Sequence, residues 1–248
     1  MDFEIKRKNG FLTICAYILV FYVIASIIIT IIQEMFVSTG TGVISSIYNL
    51  IVYILLFIAV VIINRKELLT DIKAFFKSKD LALKIVGAIG IFYIINIFFN
   101  TLISNIEYYA NIMNRILDKP TSITSTAENQ SIIETILKGD GIIPMIIAAG
   151  VLGPICEELV FRKAFFNVCK TKEMGLLVSS LCFCLIHITS SIGMGYDALS
   201  IYLMCIPYLV SGVAFGLIYI KNDCNIVMPT IVHIVTNTIS IIGILFLS

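Results

Sequence analysis

Long apolar stretches alternate with short, lysine-bearing polar ones along the whole chain. A helix needs about 20 predominantly apolar residues to cross a bilayer. By that rule the pattern predicts seven spans, near residues 11–33, 45–63, 82–104, 142–161, 175–192, 198–220 and 226–247. The fifth is short, and His233 and Asn237 interrupt the seventh. One polar connection is long, about residues 105–140. It carries Asp118, Lys119 and Pro120, then a Thr/Ser-rich stretch from Thr121 to Thr126. Ile132 to Leu137 reads as a short amphipathic helix within it. No internal repeat and no separate soluble domain is visible. The expected fold is all-α: a polytopic transmembrane helix bundle of about seven spans, forming a single integral-membrane domain over residues 1–248.

Composition agrees. The chain is 59% hydrophobic and 13% charged, with a mean hydropathy of +1.02. Soluble domains are about 45–50% apolar and about 25% charged. The net charge of +1 gives no basic field for nucleic acid, which is not an expected partner. Charge placement predicts topology. With the N-terminus in the cytoplasm, fourteen of the seventeen lysines and arginines fall on the inner side, and only Arg115, Lys119 and Lys138 fall outside. The N-terminal apolar run continues from Phe11 to about Ile32. A signal-peptide core is about 7–15 residues long, so this stretch reads as an uncleaved first span. The seven cysteines mostly lie in apolar segments, form no CxxC pair and read as small buried residues. Gly212-x-x-x-Gly216 in the sixth span reads as a helix-packing contact within the chain. Lysine outnumbers arginine and isoleucine is abundant, which suggests a bacterial source and a multi-pass protein of the bacterial cell membrane.

The costliest feature is a pair of adjacent carboxylates, Glu157 and Glu158, at the end of the predicted fourth span. Each residue of an α-helix advances about 100° around the axis. Glu158 and Arg162, four apart, share a face and can pair, whereas Glu157 and Arg162 diverge by roughly 140° in that geometry. Glu157 is left without a local cation. An unpaired carboxylate in a poorly solvated site is poised to accept a proton, as a general base must be. The alternative is that both glutamates are solvated at the membrane interface, with Arg162 as an anchor. The chain's two histidines also lie in apolar segments. Phe183 and His187 are four apart in span five, and His233 and Asn237 are four apart in span seven. Polar groups inside a bundle face its interior and each other, so convergence on one polar cavity is expected.

Several chemistries are open to such a cavity. A serine hydrolase is disfavoured, because no Gly-x-Ser-x-Gly elbow is present, and Ser179, Ser180, Ser190 and Ser191 read as packing or terminal residues. Cys156 lies about 100° around the helix from Glu157 and is a poor nucleophile candidate. His-Glu-x-x-His is missing, yet Glu157, His187 and His233 could form a two-histidine, one-carboxylate zinc set. Asp140 and Asp197 read as loop residues. A non-catalytic membrane regulator, scaffold or immunity protein is another reading, and a proton-coupled transporter a further one.

Together Glu157-Glu158-x-x-x-Arg162, Phe183-x-x-x-His187 and His233-x-x-x-Asn237 resemble the motif set of the CAAX protease and bacteriocin-processing family, also called Abi. The resemblance covers about residues 142–245. It implies an intramembrane glutamate endopeptidase with neither metal nor cofactor. Glu157 would activate the attacking water, His187 would help hold it, and His233 and Asn237 would stabilise the oxyanion. Glu158, Arg162 and Phe183 would be supporting residues. On that basis residues 141–248 form the catalytic core, and 1–140 supply N-terminal spans and an outer loop. The implied substrates are peptides or membrane-associated protein precursors, reached from the cytoplasmic side or from within the bilayer. The implied roles are peptide-signal or bacteriocin maturation, self-immunity, or CAAX-type processing.

Overall fold

The computed structural model describes residues 3–35 and 41–247. Among the described residues every regular element is helical. Seven helices are long and apolar enough to cross a membrane: Phe3–Ile32, Gly42–Phe76, Leu81–Ile116, Ile142–Val168, Lys172–Ile192, Ala198–Lys221 and Val227–Phe246, here spans 1 to 7. The chain is a multi-pass membrane protein with the all-α architecture that its hydropathy predicts.

Spans 2, 3 and 4 outrun their predicted lengths. The stretches that follow Asn64 and Ser104 are too polar for lipid, but they are rich in helix formers, so the helices continue beyond the apolar segment. Local chemistry sets the breaks. Asp80 and Asp118 take left-handed backbone conformations, one just before span 3 begins and one just after it ends. The Thr171 hydroxyl accepts from the Met174 amide at 3.2 Å and caps span 5. Asp197 caps span 6 through the Leu199 amide at 2.8 Å. Span 4 runs on to Val168, which moves Glu157 from near its end to its middle. That corrects the depth expected from a span ending at residue 161. About eleven more residues at 1.5 Å each add roughly 16 Å of helix beyond Glu157.

Spans 5 and 6 share the most extensive contact. Gly212 permits it: a Cβ there would meet the Ser180 Cα at 3.1 Å, and one at Gly216 would collide with Leu176. The small-residue stripe therefore packs within the chain, as expected. Span 1 lies against the second half of span 4, where a Cβ on Gly10 would meet the Ala164 carbonyl at 2.7 Å.

Both ends of the bundle carry fixed polar structure. At one end the segment after span 3 is strapped down. The Asn111 amide clasps Ile123 from both sides at 2.8 Å, the Glu107 carboxylate accepts from Ser125, and the Ser191 hydroxyl accepts from the Glu128 amide at 2.9 Å. This segment leads into the short helix Glu128–Leu137, which contains the predicted amphipathic stretch. Its buried Ile136 and Leu137 pack on Met145 and Ile241. At the other end Lys163 donates to Asp71 at 2.6 Å and lies 3.6 Å from Glu67. Asn9 and Asn167 both donate to Glu67.

Candidate active site

The backbone of span 4 departs from α geometry twice, with π segments at Ala148–Leu152 and Glu158–Ala164. A π turn bonds each N–H to the carbonyl five residues back, as the Gly153 amide does to Ala148. Continuing that register would require an N–H at position 154 for the Ala149 carbonyl. Pro154 has none. Asn237 of span 7 fills the gap, its Nδ2 donating to the Ala149 carbonyl at 3.0 Å. One motif residue is thus anchored on the backbone defect beside another. Just beyond it, Pro154 and buried Gly153 lead into Cys156, Glu157 and Glu158.

The two glutamates differ in their surroundings. Glu158 is fully buried, 3.2 Å from Arg162 Nη1, and its Oε1 accepts from His233 Nδ1 at 2.9 Å. Arg162 is fully buried too, and its Nη2 donates to the Gly212 carbonyl at 3.2 Å. Its guanidinium lies over the Phe183 ring, 4.6 Å from the centroid, and 5.4 Å from that of Phe215. Arg162 Nε and Nη1 have no hydrogen bond. The two aromatic faces and the Glu158 charge therefore stand where water would otherwise be.

Glu157 instead faces a cavity of about 530 Å³. Its Oε1 accepts from the Tyr53 hydroxyl at 3.3 Å, and its Oε2 lies 3.7 Å from His233 Nε2. That second distance is too long for a direct hydrogen bond, so the oxygen remains open to a small molecule. His187 and Asn237 line the same cavity. A carbonyl oxygen only accepts, so His187 Nδ1 carries the proton it shares with the Phe183 carbonyl at 2.7 Å, and Nε2 is the ring's free acceptor. Each imidazole is held flat by an aromatic ring. His187 stacks on Tyr208 at 4.5 Å between centroids, and His233 stacks on Phe215 at 4.3 Å.

Glu157, His187, His233 and Asn237 therefore come together on one cavity that Phe183 also lines, and Glu158 and Arg162 are buried behind them. Among the described residues, no three His, Cys, Asp or Glu side chains stand close enough to hold a metal ion. Cys156 points away, its Sγ 3.8 Å from the Tyr53 carbonyl. Ser179 and Ser191 are buried in helix packing. Sequence reasoning missed Tyr53, Tyr208 and Phe215. Tyr53 lies in span 2, more than a hundred residues before Glu157, and no local pattern singles it out. Glu158's bond to His233 was missed for the same reason.

Residues 139–239 match the family model "Type II CAAX prenyl endopeptidase Rce1-like". This stretch of the chain is similar to the Rce1-like family. It holds all three motifs, and it bears out the family resemblance seen in them. The chain is 29% identical over 203 residues to an "Uncharacterized protein" of Mycoplasma capricolum subsp. capricolum, covering 80% of this chain and 56% of that one. It is 29% identical over 143 residues to "UPF0177 protein YxdF" of Lactococcus lactis, covering 58% of this chain and 71% of that protein. It is 27% identical over 169 residues to "Putative membrane peptidase YdiL" of Bacillus subtilis, covering 67% and 59%. The chain thus spans a little over half the length of the Mycoplasma relative. No solved structure matches it.

Proposed function

We propose that this chain is a membrane-embedded endopeptidase that uses water activated by Glu157. The observation that carries this reading is the convergence of three spans on one cavity. Glu157 Oε2 and His233 Nε2 stand 3.7 Å apart there, with His187 and Asn237 on the same wall.

In the proposed reaction a water sits between Glu157 Oε2 and His187 Nε2. Glu157 takes its proton as the oxygen attacks the scissile carbonyl. The developing oxyanion faces His233 and Asn237. Asn237 uses one amide proton on Ala149 and has a second to give. His233 gives Nδ1–H to Glu158 and directs Nε2 at the cavity. The acting form of His233 then carries both ring protons, and the buried set of Glu157, Glu158, Arg162 and His233 is charge-balanced. As the tetrahedral intermediate collapses, the proton held by Glu157 passes to the leaving amine, which restores the base.

Charge placement supports a cytoplasmic N-terminus. The bacterial relatives support a bacterial cell membrane. The substrates are peptide or membrane-associated protein precursors, with peptide maturation or self-immunity as the role. The test compares the peptides of cells carrying the wild-type protein with those of cells carrying Glu157→Gln at matched membrane abundance. Loss of specific cleavage products is expected. Identical peptide profiles would falsify the proteolytic reading. A metal-dependent version predicts loss of activity on strong chelation, whereas this one predicts that activity survives.

A further inference from the structure

The direction in which the cavity runs is a separate observation from the identity of its catalytic groups. Its buried lining includes Glu157, Phe183, Phe215 and His233. Behind it Arg162 and Glu158 are fully buried, and the adjacent Phe161 and Leu159 pack into the core with spans 1 and 2. The lining residues that are exposed are Asn100, Ser104, Thr126, Ile132 and Ser240. Asn100 and Ser104 are in the second half of span 3, and Thr126 is in the strap that follows it. Ile132 is on the short helix before span 4, and Ser240 is in the last turns of span 7. The mouth is therefore at the end of the bundle where residues 118–137 are strapped. Lys163, Asp71 and Glu67 mark the opposite end.

The distribution of cations assigns sides to these two ends. The mouth end holds Arg115, Lys119 and Lys138, and the other fourteen lysines and arginines belong to the closed end. By the positive-inside rule the closed end is cytoplasmic. The wall between mouth and base is mixed in character. Asn96, Asn100, Ser125, Gln130 and Ser211 bring amides and hydroxyls to it, and Glu134 stands among them with Gln130 donating to its Oε1 at 2.9 Å. Phe92, Ile103, Ile133 and Met145 line it too, so the wall offers an extended peptide both hydrogen-bond partners and side-chain contacts.

We infer that the site opens to the outer face of the membrane and takes extended peptide segments from that side. This rests on the peptidase reading for the identity of the ligand, but the direction of access stands independently of it. The segment 118–137 is then a wall of the substrate cleft, with Gln130 and Glu134 contacting the peptide. Access from the cytoplasm, expected from the sequence, would require the mouth to be at the other end.

The test has an arm that needs no activity. Gln130→Cys and Lys79→Cys proteins are placed in intact cells and treated with a membrane-impermeant maleimide, with the wild type as background. Gln130→Cys should label in intact cells, and Lys79→Cys only after permeabilisation. The reverse pattern overturns the inference even if the protein is a peptidase. The second arm supplies purified protein in liposomes, oriented by the first assay, with two quenched peptides of one sequence, one free and one carrying a C-terminal prenyl group. The free peptide should be cleaved from the mouth side. Cleavage only of the lipidated peptide, or only from the closed side, overturns the substrate class. If Gln130→Cys labels from outside while neither peptide is cut faster by wild type than by Glu157→Gln, the peptidase reading fails, the substrate class falls with it, and the direction of access stands.

Discussion

Glu157 and Glu158 are neighbours in sequence and have opposite structural roles. Glu158 touches Arg162 and His233 and no solvent, whereas Glu157 touches Tyr53 and the cavity. Their substitutions should separate accordingly. Glu157→Gln leaves the buried pair intact, so the unfolding midpoint in detergent should stay close to wild type. Turnover should fall about 10²–10⁴-fold, the usual worth of a positioned base. Glu158→Gln strands a buried guanidinium and leaves only a neutral amide oxygen to accept from His233 Nδ1. Breaking one side of a buried pair costs about 3–5 kcal/mol, so this variant should lose stability as well as activity. Arg162→Lys should resemble it, because an ammonium cannot cover Phe183 and Phe215 while reaching the Gly212 carbonyl. Equal unfolding midpoints for Glu157→Gln and Glu158→Gln would contradict this division.

At the scale of elements, the site depends on a helix that is not a regular α-helix. Pro154 leaves the Ala149 carbonyl open, and Asn237 closes it. Asn237→Ala should therefore cost about 1 kcal/mol for a half-buried acceptor left without its donor, over and above any loss of rate. Adding Pro154→Ala returns an N–H to that turn. The double variant should regain thermal stability without regaining turnover, because the amide facing the cavity is still gone. If stability does not return, the carbonyl is not what Asn237 serves. The limits of sequence reading lie at this same scale. Hydropathy located every span, because bilayer thickness imposes a length that composition alone reveals. The three motifs were visible because polar residues four apart in lipid are costly. The π turns were not visible, since the first is closed only where a proline's missing donor meets a side chain from another span. Nor was the depth of Glu157, because the helix after residue 161 is held by polar packing rather than by apolar length. Tyr53 and Phe215 sit in spans where an aromatic residue is ordinary, and only the fold brings them against Glu157 and His233.

For the molecule as a whole, the family match covers residues 139–239, yet the site is not self-sufficient within them. Span 2 gives Tyr53 to Glu157, and near its far end Asp71 takes Lys163 at 2.6 Å and the Ile226 amide at 3.2 Å. Asn225 donates to the Asp71 carbonyl at 2.7 Å, and span 1 fills the side of span 4 behind the motif. Without span 2, Lys163 would lose both of its carboxylate partners, Glu67 and Asp71. We therefore propose that residues 1–140 and 141–248 form one integral-membrane domain rather than a separable core with an accessory half. The break between Leu137 and Ile142 tests this, because that turn joins two helices at the surface. Expressed alone, residues 139–248 should be degraded or inactive. Co-expressed with residues 1–138, they should be recovered as a co-purifying pair with the cleavage activity of the intact chain. Adding Tyr53→Phe to the N-terminal piece should leave the pair assembled and lower its turnover. A C-terminal piece that is stable and active by itself would make the N-terminal spans an accessory, with Tyr53 a neighbour of the site rather than part of it.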